Sequence, residues 1–204
     1  MKLYLVRHGQ SYFNKEGILG GNPELTPRGI QEANKVASIL KEIKLSKIYC
    51  SKLKRAVQTA TIIHSYHPKI PLIKASELNE INYGILDSIT RLELKEKFPD
   101  LCQQRKEDKY NFRAPNGENF NDVLKRIAPL MSKIASENKD IGIVAHQTTN
   151  RVIIDYFFNL DKEKIPYIKI PRDIPHIIDT TKKELYYIKN NKRCPGVFDY
   201  YKSF

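Results

Sequence analysis

Residues 2–9, KLYLVRHG, place a short apolar run directly before an arginine, a histidine and a glycine. Residues 141–147, IGIVAHQ, repeat this arrangement with a second histidine. Continuous apolar runs of this length are typical of strands that are buried on both faces of a parallel sheet. Because the carboxyl ends of parallel strands meet at one edge of a sheet, we expect His8 and His146 to lie close together.

Helical patterns lie between and after these two strands. Thr26 and Pro27 are typical of a helix start, and apolar residues then recur at helical spacing up to Leu40. Further helices are predicted at about 53–65, 89–98, 118–137 and 148–159, with further strands at 47–50 and 184–189. Strands that alternate with helices predict an α/β fold of three layers, α/β/α, with a mostly parallel central sheet flanked by helices.

The length of 204 residues fits a single domain over 1–204. Within it, an insertion of loop and helix at about 81–140 is predicted to cover the substrate. Residues 99–117 show no clear periodicity, and they are predicted to form a long loop of the kind that often binds ligands. The tail at 190–204 has no pattern that assigns it a structure.

The net charge of +12 leaves three interpretations open. The chain can be a nucleic-acid binder, an enzyme for an anionic small molecule, or a protein with many solvated surface lysines. Its basic residues are dispersed rather than clustered with aromatic residues, which favours the last interpretation and argues most strongly against nucleic acid.

The sequence also predicts location and redox state. No apolar run approaches the roughly 20 residues of a membrane-spanning helix, and the first apolar stretch ends at Arg7, too early for a signal peptide. A cytoplasmic location is therefore expected. Cys50, Cys102 and Cys194 are far apart and lack metal-binding spacing, which indicates reduced thiols. No metal and no cofactor is predicted.

Two further residues carry chemistry that suits the histidines. Arg55 stands at the predicted start of a helix, where anions bind, and its guanidinium adds a bidentate fork for phosphate. Glu80 lies in LNEINYG, residues 78–84, and a carboxyl group near the histidines can act as a general acid. Arg55 alone can be a surface cation and a single histidine can be structural. A purely structural role is a less convincing explanation for two histidines that each follow a buried strand.

The order of these motifs resembles the histidine phosphatase, or phosphoglycerate mutase-like, superfamily. The matching blocks are LVRHGQS at 5–11 with Asn14, LTPRG at 25–29, SKLKRAVQTA at 51–60, LNEINYG at 78–84 and VAHQTTNR at 144–151. Within the superfamily, the chain is most similar to the fructose-2,6-bisphosphatase half of the bifunctional phosphofructokinase-2/bisphosphatase. Gly20-Gly21, DKY at 108–110, PNGE at 115–118, IPYIK at 165–169 and the unusual Gln147 carry this similarity.

The resemblance implies a metal-independent phosphoryl transfer in two steps. His8 would become a phosphohistidine, and Glu80 would act first as acid and then as base. Arg7, Arg55 and His146 would donate to the equatorial oxygens of the transition state. We expect a neutral His8 with one ring nitrogen free to attack and the other donating to a backbone carbonyl, and we expect the arginines to disfavour its protonated form.

The resemblance also implies residues that bind the substrate: Asn14, Gly20, Arg91, Arg105, Lys109, Gln147 and Arg151. Three of them, Arg105, Lys109 and Arg151, suit the second phosphate of a sugar bisphosphate such as fructose 2,6-bisphosphate. Two tyrosines that bind the sugar phosphate in that family are replaced here by Arg91 and Phe120. Because phenylalanine cannot donate a hydrogen bond, the exact substrate stays open.

Other functions are compatible with the same motifs. A broad-specificity phosphomonoesterase and a phosphoglycerate mutase belong to the same superfamily, although the mutases are usually longer. An inactive binding module is a further alternative, but such members tend to lose the catalytic histidine or its arginines, which are present here. The expected partner is a small phosphorylated substrate rather than nucleic acid or membrane, and a homodimer is left open.

Overall fold

The strand that carries the first motif lies near the middle of the sheet in the computed structural model, which describes residues 1–189 and 192–196. The strands are β1 Lys2–Arg7, β2 Lys47–Ser51, β3 Leu72–Ala75, β4 Ile141–Ala145, β5 His176–Asp179, β6 Glu184–Lys189 and β7 Lys192–Pro195. The helices are α1 Tyr12–Glu16, α2 Pro27–Leu40, α3 Lys54–His64, α4 Arg91–Lys97, α5 Pro99–Glu107, α6 Phe120–Ser136 and α7 Gln147–Phe158. Of the unassigned tail, 190, 191 and 197–204 lie outside the described residues.

The strands form one mixed sheet in the order β3-β2-β4-β1-β5-β6-β7. The pairs β1–β4, β2–β4 and β2–β3 are parallel, and β5, β6 and β7 extend the sheet in antiparallel fashion beyond β1. The predicted α/β fold with parallel central strands flanked by helices is confirmed. The sequence patterns do not reveal β3, β5 and β7, because each has only four residues.

Alternating side chains of β1 enter two separate hydrophobic cores. Leu3 and Leu5 pack with residues of α6 and α7 on one face of the sheet. Tyr4 and Val6 pack with residues of α2 and α3 on the other face. Because both faces of β1 are buried, its sequence is apolar without alternation, and this explains the continuous run at its centre.

Residues 99–107 form a helix, so the prediction of a long loop over 99–117 is wrong for its first half. Pro99 occupies the first turn of α5 and Asp100 adds a negative charge there, and both favour a helix start. No residue of α5 is fully buried, so its sequence lacks the apolar periodicity that would reveal it. The division of the chain into one domain with an insertion at 81–140 stays a prediction.

The other predicted helices agree with the structure to within two residues at each end. This agreement follows from their buried faces, since α2, α3, α6 and α7 each contribute several fully buried residues to a core. None of the helices in the described ranges combines the length and the apolar character needed to cross a membrane.

Candidate active site

The two histidines meet at the carboxyl ends of β1 and β4. His8 directly follows β1, and His146 directly follows β4, which pairs with β1 in parallel. Their ring centroids are 4.9 Å apart, and the ring planes are tilted by 58°. His8 is 3% exposed and His146 is 0% exposed. The strand order therefore brings the histidines together in the way that the sequence indicates.

The backbone beside His8 packs tightly against α2. A Cβ atom on Gly9 would lie 2.1 Å from the carbonyl oxygen of Gly29, so only glycine fits here without a backbone shift. The amide of Gly9 also donates to the Oγ1 atom of Thr59 on α3, at 3.1 Å. These contacts fix the backbone turn next to His8, whose side chain lines the cavity described below.

The hydrogen bonds of His8 define its reactive nitrogen. Its Nδ1 atom lies 2.7 Å from the carbonyl oxygen of Gly9, which can only accept, so Nδ1 carries the proton. The Nε2 atom keeps its lone pair and accepts a hydrogen bond from Nε of Arg55 at 3.1 Å. Burial lowers the pKa of His8 well below its ordinary value, and the charges of His146, Arg55 and Arg7 lower it further. A neutral ring with Nε2 as the nucleophilic atom results.

Two arginines flank His8 without being neutralised. Arg55, in the first turn of α3, donates from Nη1 to the carbonyl oxygen of Gly21 at 2.8 Å. Arg7 donates from Nη1 to the carbonyl oxygen of Ile170 at 3.1 Å. Burial lowers the pKa of Arg7 to about 9, so its guanidinium is still charged at neutral pH. Because the described hydrogen bonds of both side chains go to neutral acceptors, their positive charge is left for an anionic ligand.

Glu80 is anchored at the N-terminus of α7. Its Oε1 atom accepts from the amides of Ile81 at 3.1 Å, Thr148 at 3.2 Å and Thr149 at 3.4 Å. Its Oε2 atom has a single contact among the described residues, 3.4 Å from the amide of Thr148. The free amides of the first helical turn therefore hold one carboxylate oxygen, and Oε2 is the oxygen with room to carry a proton.

A hydrogen-bonded chain fixes the protonation pattern of His146. The Oδ1 atom of Asn79 accepts from the amide of Lys52 at 3.0 Å and from the hydroxyl of Ser51 at 2.9 Å. The one hydroxyl proton of Ser51 is donated to Asn79, so the hydroxyl oxygen of Ser51 must accept from Nε2 of His146, at 2.8 Å. Neutral His146 is therefore protonated on Nε2, and its buried Nδ1 has no partner among the described residues. Donation through Nδ1 requires a second proton.

A cavity of about 480 Å³ opens above His8. It is lined by all predicted site residues except His146: Arg7, His8, Asn14, Gly20, Arg55, Glu80, Arg91, Arg105, Lys109, Gln147 and Arg151. His146 packs behind His8. The cavity is also lined by Tyr83, Thr148, Lys169 and Arg172, which the sequence analysis does not single out as site residues. Lys169 ends the IPYIK block and Arg172 follows it by three positions. These two basic residues next to a matched block are the sequence feature that could have identified them as site residues.

A second group of cations occupies the same cavity and consists of Arg91, Arg105, Lys109 and Arg151. The ammonium of Lys109 lies 4.7 Å from the ring centroid of Tyr167, a favourable cation–π distance. Burial lowers the pKa of Lys109 to about 7, and repulsion from Arg151, Arg105 and Arg91 contributes to this shift. The four side chains line one cavity, which places their positive charges around the same space.

Comparison with known proteins agrees with this geometry. The sequence model of a family described as "Histidine phosphatase superfamily (branch 1)" matches residues 3–189. The human 6-phosphofructo-2-kinase/fructose-2,6-bisphosphatase 4 is 33% identical over 171 residues, which cover 83% of this chain and 35% of that protein. The chain thus spans about a third of the length of the curated relative that it matches.

Solved structures share the fold. The α-ribazole phosphatase of Shigella flexneri has a TM-score of 0.80 at 24% identity, with 96% of this chain and 94% of that chain covered. A mycobacterial glucosyl-3-phosphoglycerate phosphatase has a TM-score of 0.78 at 21% identity, with 87% and 90% covered. The family match over nearly the whole described chain, together with the paired histidines at the sheet edge, leads to one conclusion. The chain belongs to the histidine phosphatase superfamily.

Proposed function

We propose that this protein is a metal-independent phosphatase that works through a phosphohistidine on His8 and acts on a sugar bisphosphate, with fructose 2,6-bisphosphate as the leading candidate. The observation that carries the proposal is the content of the cavity, which combines a neutral nucleophile flanked by arginines with a second cationic group. The similarity to bisphosphatase relatives supports the same substrate class.

In the first step, the lone pair on Nε2 of His8 attacks phosphorus. The bond from phosphorus to the leaving oxygen breaks, and that oxygen takes a proton from Oε2 of Glu80. The hydrogen bond from Arg55 to Nε2 has to open first, which frees this guanidinium to bind the phosphoryl oxygens. Arg7 and Arg55, which line the cavity, stabilise the negative charge on those oxygens in the transition state. Burial and the charges of Arg55 and Arg7 lower the pKa of His146 well below its ordinary value, so this ring is neutral in the empty site and donates to the phosphoryl group only if the bound anion brings a second proton to Nδ1.

In the second step, a water molecule attacks the phosphorus of phosphohistidine. The carboxylate of Glu80 takes a proton from that water, and the phosphorus–nitrogen bond breaks with its electron pair returning to Nε2. Inorganic phosphate leaves, and both His8 and protonated Glu80 are restored for the next cycle. The same carboxyl group thus serves as acid and then as base.

The second cationic group favours a bisphosphate over a simple monoester. Arg105, Lys109, Arg151 and Arg91 carry charge that a substrate with one phosphate, bound at His8, would leave unpaired in a partly buried site. Arg91 supplies a cation where the bisphosphatases have a tyrosine, which keeps the interaction with phosphate but changes its geometry. A small phosphorylated partner, a cytoplasmic location and a possible homodimer remain predictions from the sequence.

A panel of phosphate esters in the presence of EDTA tests this function. The panel contains fructose 2,6-bisphosphate, other sugar bisphosphates, phosphoglycerates and p-nitrophenyl phosphate. We expect selective hydrolysis of the sugar bisphosphate at a rate that EDTA does not change. Hydrolysis of generic esters alone would contradict the substrate, and inhibition by EDTA that added divalent metal reverses would contradict the metal-independent mechanism.

Lys109 is expected to make substrate affinity depend on pH. Its pKa of about 7 in the empty site means that it loses its charge as the pH rises through neutrality. The KM for a sugar bisphosphate should therefore increase between about pH 6.5 and 8. Lys109→Met should remove this increase and raise KM at the lower pH by roughly 10-fold, because a charged hydrogen bond is worth about 1.5–3 kcal/mol.

The matched control is Lys106→Met, which removes an exposed lysine of α5 that does not line the cavity. The substrate phosphate also titrates and changes KM with pH, but it does so equally for every variant. The profiles of KM against pH are therefore compared between variants. A Lys109→Met profile that parallels that of the native protein would show that Lys109 does not bind the second phosphate.

A further inference from the structure

Residues 77–82 carry two side chains of the candidate site on backbone that has little regular structure. They span the end of a 3₁₀ turn, Ser76–Leu78, and the irregular residues that follow it. Glu80 extends from this segment to the N-terminus of α7, and Asn79 extends to Ser51. Since a misplacement of about 1 Å can lower a rate by roughly 100-fold, the contacts that hold this segment matter for chemistry.

A single arginine of α6 binds the backbone of this segment. The Nη2 atom of Arg126 donates to the carbonyl oxygens of Asn79 at 2.9 Å and Glu80 at 3.3 Å. Its Nη1 atom donates to the carbonyl oxygen of Glu77. One guanidinium group therefore contacts three carbonyls, including those of both residues whose side chains enter the site.

Glu118 completes the contact from the other side. Its Oε1 and Oε2 atoms accept from Nε and Nη2 of Arg126 at 2.8 Å and 3.1 Å. Its Oε2 atom also accepts from the amide of Asn82 at 2.9 Å, and its own amide donates to the carbonyl of Asn82 at 2.8 Å. Both side chains are largely covered, with 22% and 23% exposure, so this bidentate pair is better ordered than an ordinary surface ion pair.

Two catalytic groups depend on the position of this segment. Asn79 orders Ser51, and through Ser51 it sets the proton of His146 on Nε2. Glu80 presents Oε2 only while its backbone allows Oε1 to contact Thr148 and Thr149. A shift of the segment would therefore disturb the acid–base carboxyl group and the second histidine together.

We propose that Arg126 and Glu118 are positioning residues that hold residues 77–82 so that Glu80 and His146 have their working geometry and protonation. The proposal rests on the proposed function for the roles of those two groups. All three nitrogens of the Arg126 guanidinium already bind protein acceptors, so it acts through the segment and not on substrate. A lysine cannot replace it, because an ammonium does not offer the planar fork that reaches several acceptors.

The test measures kcat, KM and the state of His146 in Arg126→Ala, Arg126→Lys and a control, Arg113→Ala. The control removes an exposed ion pair between Arg113 and Asp122, a residue of α6, and neither of these two residues lines the cavity. We expect Arg126→Ala to lower kcat by roughly 10- to 100-fold with KM changed less than about threefold, and Arg126→Lys to be similarly impaired. Guanidinium chloride at low millimolar concentration should restore part of the kcat of Arg126→Ala, and Arg113→Ala should retain native kcat.

A second readout does not require turnover. The side-chain ¹⁵N shifts of His146 should show a proton on Nε2 in the native protein and in Arg113→Ala, and a changed pattern in Arg126→Ala. Native kcat in Arg126→Ala, or a loss that Arg113→Ala shares and guanidinium does not reverse, would overturn the positioning role. If the native protein hydrolysed no phosphate ester, the proposed function would fail, while the ¹⁵N pattern would still decide whether Arg126 controls His146.

Discussion

Replacement of His8 with alanine is expected to lower kcat by roughly 10⁴-fold or more, a loss of about 5.5 kcal/mol in transition-state stabilisation. The Nε2 atom of His8 is the atom that bonds to phosphorus in the proposed mechanism. The other histidine of the site cannot substitute for it, because Nε2 of His146 donates its proton to Ser51 and the ring lies behind His8, outside the cavity lining. Steady-state kinetics with the best ester of the panel, under EDTA, provides the measurement.

The control for this variant is His176→Ala. His176 is also buried, at 7% exposure, and it lies on β5 of the same sheet but does not line the cavity. It should retain native kcat even if its thermal stability falls. A His8→Ala protein that folds, as judged by its thermal unfolding, and keeps more than about 1% of native kcat would show that His8 is not the nucleophile.

Replacement of Glu80 with glutamine is expected to have the next largest effect, a decrease in kcat of roughly 10²- to 10⁴-fold. Glutamine has the same shape and its oxygen can still accept from the amides of Thr148 and Thr149, but it cannot supply or take a proton. The loss should be larger for a sugar phosphate than for p-nitrophenyl phosphate in the first step, because nitrophenolate leaves without protonation. With the nitrophenyl ester the second step then limits turnover, and phosphoenzyme should accumulate as a rapid burst of nitrophenolate.

Glu77→Gln is the matched control, because it makes the same substitution three residues away on an exposed side chain. It should show native kcat with both substrates. The role of Glu80 as acid and base would be contradicted if Glu80→Gln gave no burst of nitrophenolate. It would also be contradicted if the rates of both steps fell equally for the sugar phosphate and for p-nitrophenyl phosphate.

The parts of the fold that the sequence predicts are those with a strong local pattern. The centre of β1 and the whole of β4 are apolar because both faces of these strands are buried, and α6 has a long buried face. β3, β5 and β7 have four residues each, which is too few for a periodicity to stand out. α5 has no buried residue, so its helical start at Pro99 has no apolar pattern to support it.

The same distinction applies to the site. The histidines, Arg7 and Arg55 lie at strand ends or helix starts, and the donation from His8 to a backbone carbonyl follows from the chemistry of a nucleophilic imidazole. The contacts that refine the site join distant residues, such as His146 with Ser51 over 95 positions and Arg126 with Asn79 over 47 positions. A single sequence contains no periodic signal for such pairs, and only the folded chain reveals them.

The most direct test of the account is a rapid-quench experiment with substrate labelled on the transferred phosphate. Native protein is mixed with ³²P-labelled fructose 2,6-bisphosphate, quenched in alkali within milliseconds and digested for mass spectrometry. We expect acid-labile, alkali-stable label on Nε2 of His8, in the peptide that contains residues 5–11, and we expect none in His8→Ala. Hydrolysis by the native protein with no protein-bound label at any quench time, or with label on another residue, would contradict the phosphohistidine mechanism.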